Sequence, residues 1–163
     1  MKKRRNSIIF LLISIIIAGG TVLYRSCFNN IDSDQYLSSN VLEKNVEECQ
    51  NDKMVKNSRS FDFKKFDGQW SLIQFTSNKG NEINIVDNTK INSGKFYIVV
   101  LDSKNNIVAK KNELKDKGNI SFSTPKDGKY VIKIAGKNAS GNFDISVNAH
   151  NNVDISHKDF FDE

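Results

Sequence analysis

From residue 60 to residue 148 the chain repeats short runs in which apolar and polar residues alternate. A period of two predicts half-buried β-strands. In the run from 95 to 102, residues 96–101 are all apolar, which predicts a central strand that is covered on both faces. Seven or eight runs recur about every 10–12 residues without a long helical pattern. We therefore predict an all-β fold, an antiparallel β-sandwich of the jelly-roll type, over 60–148.

Turn-forming residues separate these runs. Gly, Pro, Asn and Asp are the residues that tight turns favour, because they tolerate or pre-form the required backbone angles. They cluster at 67–68, 77–80, 102–106, 125–128 and 138–141. We predict a turn at each of these places.

The first 25 residues have a different pattern, in which basic residues precede a long apolar run. Four basic side chains lie within residues 2–5, the apolar run covers 8–24, and Arg25 ends it. A helix of this length spans roughly 25 Å, close to the thickness of a hydrocarbon core of about 30 Å. The basic start favours an amino end in the cytoplasm. We predict a cytoplasmic segment over 1–7, a single-pass transmembrane signal-anchor helix over 8–24 and an extracytoplasmic location for the rest.

The same residues allow two alternatives to an anchor. The apolar core 8–17 precedes small residues, so a signal peptidase could cut after Gly20 and secrete the domain. Apolar character continues to Tyr24, which favours the uncleaved anchor. Lipidation of Cys27 is disfavoured because Tyr24 and Arg25 do not suit the position before a modified cysteine. Both remaining interpretations export the domain.

Residues 25–59 are polar and predict a stalk. Asn40 and Glu43 have the spacing of a capping box, and apolar side chains follow at helical intervals, so a short helix over 41–54 is expected. Cys27 and Cys49 are the two cysteines of the chain. They either form a disulfide, closing a loop of about 20 residues, or remain two unpaired thiols in the stalk.

The charge of the chain is unevenly distributed. The net charge is +5, but residues 28–57 and the tail from 150 onward each carry −3, so 149–163 is predicted to be an acidic, solvated tail. The domain has an excess of lysine, which includes Lys64, Lys65, Lys110, Lys111, Lys129 and Lys133. These lysines either face an anionic wall polymer or lipid headgroups, or only protect sheet edges and keep the domain soluble, and the last interpretation is favoured. An exported location makes nucleic acid an improbable partner.

No motif typical of a catalytic, cofactor or metal site occurs in the sequence. His150 and His157 are the two histidines, and their spacing in the tail fits no standard metal site. Glu82 and Glu113 are expected to be surface charges rather than a glycosidase pair. The sequence therefore predicts no enzyme, no cofactor and no metal.

Two aromatic residues are candidates for a ligand face. Trp70 and Tyr97 lie on strands that are apolar on both faces, and sugar-binding sandwiches use exposed rings of this kind. The alternative is that both rings pack in the core, which is the more common fate of such large side chains.

The sequence Asp-Gly-Lys-Tyr-Val-Ile-Lys-Ile at 127–134 resembles the penultimate strand of exported bacterial jelly-roll modules. These include pre-peptidase C-terminal domains and carbohydrate-binding domains. The region 60–148, with Gly68-Gln69-Trp70 near its start, resembles the single domain of membrane-anchored or lipoprotein-like bacterial proteins. The resemblance implies a fold and an exported location, but no activity.

Taken together, these patterns favour a non-enzymatic, membrane-anchored interaction module of the cell envelope. It would bind another envelope protein or an anionic wall polymer, with the membrane contacted through 8–24. The alternative is a secreted module that binds carbohydrate or wall polymer, and a hydrolase is the least favoured hypothesis.

Overall fold

The computed structural model describes residues 30–40 and 44–158. The described residues fall into two units that divide after residue 36, and each unit is described separately. In the described residues one short helix occurs, α1 (Asp34–Leu37), and the hydroxyl of Ser33 caps it by accepting a hydrogen bond from the Tyr36 amide at 3.2 Å. No described helix is long and apolar enough to cross a membrane. The segments predicted at 1–7 and 8–24 lie outside the described residues.

The described residues of the second unit form nine strands, and every pairing between these strands is antiparallel. The strands are β1 (Lys44–Glu47), β2 (Gln50–Val55), β3 (Ser58–Ser77), β4 (Glu82–Asp87), β5 (Lys90–Asp102), β6 (Ile107–Asn112), β7 (Ile120–Ser123), β8 (Gly128–Ala149) and β9 (Asp154–His157). This confirms the prediction of an all-β, antiparallel fold.

The long strands β3 and β8 organise the sheet because they pair with each other from end to end. The second half of β8 also pairs with β4, and β4 pairs with β7. Residues 130–142 of β8 pair with β5, and β5 pairs with β6. Each long strand therefore contributes one half to the sheet segment that contains β4 and β7, and the other half to the segment that contains β5 and β6.

The opposite edge of β3 is covered by three short strands. β2 pairs with its first residues, β1 pairs near its middle at Lys65–Gly68, and β9 pairs near its end at Ile73–Thr76. The first and last strands of the described chain thus lie beside the same central strand.

One hydrophobic core lies between the two sheet segments. Phe61 and Ile83 come from the first segment and Ile98 and Ile132 from the second, and all four belong to one buried cluster. Aromatic rings fill much of this core, with centroid separations of 5.1 Å between Phe61 and Phe143 and 5.5 Å between Phe61 and Trp70. The predicted central strand is also confirmed, because β5 is buried without a break from Phe96 to Asp102 and is paired on both edges.

Two of the predicted turns are wrong. Residues 67–68 and 138–141 lie within the continuous strands β3 and β8, where the pairing register shifts. Gly68 has φ 104° and Asn138 has φ 49°, values that suit a bulge inside a strand as well as a turn. The Asn138 amide donates to the Asp67 carboxylate at 2.7 Å, so the two irregularities face each other across the strand pair.

The predicted helix at 41–54 is also wrong over its described part, where β1 and β2 occur instead. Glu48 and Asn51 have φ values of 50° and 55°, which an α-helix does not accommodate. Val46 is the only described apolar side chain of this stretch that packs on the core. A short helix with so little to bury is unstable on its own, whereas pairing with the edge of β3 provides backbone hydrogen bonds. The prediction of a solvated tail over 149–163 is also wrong for residues 154–157, because these form β9 and pair with β3.

Candidate functional site: a buried lysine between two carboxyl groups

The most unusual site in the described chain is formed by Asp87, Lys111 and Glu113. Asp87 is the last residue of β4, Lys111 lies near the end of β6, and Glu113 follows that strand. β4 and β6 are not neighbours in the sheet. The site therefore joins two parts of the fold that share no ladder of backbone hydrogen bonds.

The strand register explains why these charged side chains meet. Asp87 is paired with Ile145 and Lys111 is paired with Ile98. Both isoleucines are fully buried in the core, and directly paired residues project from the same face of a sheet. Asp87 and Lys111 therefore enter the space between the sheet segments from different strands.

The three groups are in direct contact and are nearly inaccessible to water. Lys111 Nζ contacts Asp87 Oδ2 and lies 3.2 Å from Glu113 Oε2. The side chains of Lys111, Asp87 and Glu113 are 9%, 0% and 4% exposed. A lysine with two carboxyl groups in so dry a place is costly unless each charge is compensated.

Backbone hydrogen bonds position the two carboxyl groups. Asp87 Oδ1 accepts a hydrogen bond from the Thr89 amide at 2.9 Å, and the Asp87 amide donates to the side chain of Asn119 at 3.3 Å. The Glu113 amide donates to the carbonyl of Phe96 at 3.0 Å, which keeps the chain on the sheet after β6 ends.

The residue between Lys111 and Glu113 makes this turn rigid. Asn112 donates a side-chain hydrogen bond to the Tyr97 hydroxyl at 2.8 Å and accepts one from the Leu114 amide at 3.0 Å. Its own amide donates to Asp116 Oδ2 at 2.8 Å. The orientation of Glu113 is therefore fixed by its neighbours on both sides.

The pKa values of the two carboxyl groups are shifted in opposite directions, although burial acts to raise both. Burial, together with a hydrogen bond to Asp87 and the negative charge of that residue, raises the pKa of Glu113 to about 7. Burial also acts to raise the pKa of Asp87, but hydrogen bonds from Lys111 and Thr89 outweigh it, and the pKa is lowered. Glu113 Oε1 is buried and has no hydrogen-bond partner, as suits a carboxyl group that is not ionised.

Lys111 stays charged in this environment. Burial acts to lower the pKa of Lys111, but the hydrogen bond to Asp87 and the charges of Glu113 and Asp87 raise it. At neutral pH the cluster therefore contains an ammonium group, a carboxylate and a carboxyl group that gains and loses its proton near neutrality. This combination can transfer protons between its members without help from solvent.

The prediction that Glu113 is a surface charge was therefore wrong. The sequence does contain one indication of the site, namely charged residues at core-facing positions of two strands. The alternation Ile83, Ile85, Asp87 continues the core-facing positions of β4, and Ala109 and Lys111 do the same in β6. Charged residues at core-facing positions of two strands are uncommon and point to a pair inside the protein. Only the strand topology shows that these two residues pair with each other.

The two rings considered as a ligand face are both buried. Trp70 is 3% exposed and Tyr97 is 6% exposed. The guanidinium carbon of Arg59 lies 4.8 Å from the Trp70 ring centroid and Lys44 Nζ lies 5.1 Å from it. A stacking platform for a sugar needs an exposed ring, which neither residue provides.

The lysines considered as a basic surface are dispersed. Lys111 and Lys133 are buried, so their assignment to the surface was wrong. Lys64 Nζ lies 2.5 Å from Glu48 Oε2, and Lys65 Nζ lies 3.3 Å from Glu47 Oε1, so both lysines form surface ion pairs. Lys110 and Lys129 are exposed. A continuous basic face is therefore not formed by these six residues.

The remaining candidates are the cysteines and histidines. Cys49 is exposed, and Cys27 lies outside the described residues, so the choice between a disulfide and two unpaired thiols stays a prediction. His157 lies in β9, where its Nε2 atom is 2.7 Å from the carbonyl oxygen of Val55. Within residues 30–40 and 44–158, no group of three or more potential ligands could hold a metal ion.

Comparison with known proteins adds no family to these observations. No protein-family model matches the chain. No curated protein matches it either.

Proposed function

We propose that this chain is a membrane-anchored, extracytoplasmic protein whose single domain is a non-enzymatic interaction module of the cell envelope. We assign the domain to the β-sandwich class, with a jelly-roll-like arrangement. This assignment is supported by the way β3 and β8 each run through two sheet segments around one core. The basic and apolar patterns of residues 1–25 support the anchor and the exported location.

The observation that carries the interaction hypothesis is the exposure of strand β2. All six residues of β2 are exposed, and within the described chain the strand pairs only with β3. Met54 is 43% exposed and Val55 is 59% exposed. Proteins normally protect such an edge, because its outward backbone groups are ready to pair with another strand.

The occupant that fits β2 is an extended segment of another envelope protein. Strand addition satisfies the free backbone groups of an edge, while the apolar side chains of the edge strand bind pockets or side chains of the partner. A wall polymer is a less suitable occupant, since it lacks a peptide backbone and the nearby Lys64 and Lys65 are already paired with acids.

A photo-crosslinking side chain at position 55 tests this surface in living cells. We expect full-length protein with the probe at Val55 to give one discrete adduct with a second polypeptide. Leu114 provides the matched control, because it is an exposed apolar residue, 51% accessible, on another part of the domain. A probe at Leu114 should give no adduct of that size.

The double substitution Met54→Lys/Val55→Lys should abolish the adduct when the probe is moved to Lys53. Edge lysines prevent strand pairing by charge, and both positions are exposed, so the fold should be retained. Adducts that are equally strong at 55 and 114, or that persist in the double variant, would contradict the proposal.

The anchor is tested with a full-length chain that carries an epitope at its carboxyl end. We expect the epitope in the membrane fraction and its digestion by protease added outside intact cells. Ile13→Lys/Ile17→Lys should release the protein from the membrane, because a charge at the centre of a short span is costly. A mature amino terminus at Thr21 in the medium would instead indicate the secreted form. An epitope protected from external protease would contradict export.

A further inference from the structure

We infer that Lys111 and Asp87 form an intramolecular isopeptide bond, with Glu113 as the acid–base group for its formation. The bond would join Lys111 Nζ to Asp87 Cγ and release one water molecule. The inference rests on three observations. The Lys111 amine contacts the Asp87 carboxyl group, the Glu113 carboxyl group lies within hydrogen-bond distance of the same nitrogen, and all three side chains are buried.

Proximity is the first requirement, and the fold provides it. An amine and a carboxylate in water form an amide only reluctantly, because water competes and the encounter is brief. Groups held in reactive geometry gain an effective concentration of about 10⁵–10⁸ M. Here Lys111 and Asp87 are held by two different strands, and the Asp87 carboxylate is oriented by the Thr89 amide at 2.9 Å.

Exclusion of water is the second requirement. The Asp87 side chain is 0% exposed and that of Glu113 is 4% exposed. A dry site favours the release of water and protects the amide from later hydrolysis. It also favours the transfer of a proton within the ion pair, because separated charges lose their hydration there.

The third requirement is a group that moves protons, and Glu113 is placed for this task. Its Oε2 atom lies 3.2 Å from Lys111 Nζ, and its Oε1 atom is buried without a hydrogen-bond partner. The raised pKa of Glu113, about 7, keeps a large fraction of the carboxyl group protonated at neutral pH. A carboxylic acid can accept a proton at one oxygen while it donates one from the other.

The proposed step balances in atoms and charge. The resting ion pair first passes one proton from the Lys111 ammonium to the Asp87 carboxylate, which leaves a neutral amine and a neutral acid. The amine attacks Asp87 Cγ, so that the new N–C bond forms and a C–O bond to the hydroxyl group breaks. Glu113 takes a second proton from the nitrogen and gives its own to the departing hydroxyl. The products are an amide and water, and Glu113 returns to its starting state without an oxidant or other reactant.

Another ion pair of the domain provides an internal comparison. Lys126 Nζ lies 2.7 Å from Asp102 Oδ2, but the Lys126 side chain is 38% exposed. This pair has the amine and the carboxylate without the exclusion of water. We expect no bond there.

Mass spectrometry of the purified full-length protein tests the inference. We expect an intact mass lower by one water than the mass calculated from the sequence. Trypsin should yield a branched peptide that joins residues 80–90 to residues 111–115, because Lys111 in an amide is no longer a cleavage site. Residues 91–95, which contain no reacting group, should be recovered as an ordinary peptide.

Variants distinguish this bond from other losses of water. Asp67-Gly68 and Asp127-Gly128 can each lose water by cyclising to a succinimide. Lys111→Arg and Glu113→Gln should both restore the full mass, whereas Lys126→Arg should retain the loss. Circular dichroism checks that the variants are folded. If a variant is unfolded, the presence or absence of the branched peptide in the unaltered protein shows whether the bond forms. A full mass for the unaltered protein, or a loss of water that persists in Lys111→Arg, would overturn the inference.

Discussion

Replacing Gly94 by alanine is expected to lower the free energy of unfolding by about 3–5 kcal/mol. Gly94 lies in β5 with φ 76°, where the pairing with β8 is irregular. A Cβ atom built there would be 2.1 Å from the carbonyl oxygen of Asn138 and 2.3 Å from its carbonyl carbon. The neighbour is backbone of a paired strand, so it cannot rotate away as a side chain could. The expected loss combines strain at a left-handed residue with a steric clash.

Gly80→Ala separates these two contributions. Gly80 has almost the same backbone angle, φ 79°, but a Cβ atom there would meet nothing within 4 Å. Gly80→Ala should therefore lower the free energy of unfolding by only about 1 kcal/mol, the strain of an alanine in the left-handed conformation. Urea denaturation of both variants and of the unaltered protein provides the comparison. Equal losses for Gly80→Ala and Gly94→Ala would contradict the steric explanation.

Replacing Lys133 by methionine is expected to raise the free energy of unfolding at pH 7 by about 1–3 kcal/mol. Lys133 is 2% exposed, and its Nζ atom donates a hydrogen bond to the carbonyl of Ser39 at 2.7 Å. Burial lowers the pKa of Lys133 to about 8, which shows how poorly the site accommodates the charge. Methionine keeps most of the volume and removes the charge, although it leaves the Ser39 carbonyl without this donor.

The pH dependence gives a sharper readout than the stability at one pH. The folded pKa of about 8 lies below the ordinary value of 10.5, so between these values the unfolded chain binds more protons than the folded one. The contribution of Lys133 to stability therefore rises with pH across this window. The stability of Lys133→Met should not show this rise with pH. Above about pH 10 the variant should no longer be more stable than the unaltered protein.

Lys129→Met is the matched control for this experiment. It lies in the same strand but is exposed, so it should change stability little at any pH. Thermal unfolding between pH 6 and pH 10.5 would measure all three proteins. A destabilised Lys133→Met variant with an unchanged pH profile would show that the ammonium group is well accommodated after all.

Much of the fold follows from local pattern, but its irregularities do not. Alternation predicts the strands at 60–148 because side chains on a half-buried strand point in turn to the core and to solvent. The same reasoning interprets Gly68 and Asn138 as turn residues, since a bulge and a turn use the same backbone angles. The strands β1, β2 and β9 were missed because edge strands bury few side chains. Their stability comes from backbone pairing with β3, which leaves little trace in the residues themselves.

The buried cluster was missed for a different reason. A lysine in a polar stretch such as 110–117 is expected at the surface, because most lysines are exposed. Lys111 is exceptional only because Asp87 reaches the same point from a strand that is distant in the sheet. That coincidence depends on the pairing of β4 and β5 with different halves of β8. A sequence pattern describes one strand at a time and cannot show it.

The pairing of β3 with β8 has a kinetic consequence. Its paired residues are separated by 51 positions at Ser77 and Gly128 and by 88 positions at Ser58 and Ser146. Contacts this distant along the chain make folding slow, because a long loop must close before any of them forms. Folds of this kind require milliseconds to seconds. A chain in which β8 has not yet been synthesised lacks the main partner of β3, so it has no stable core. The domain therefore folds only after most of its sequence is available.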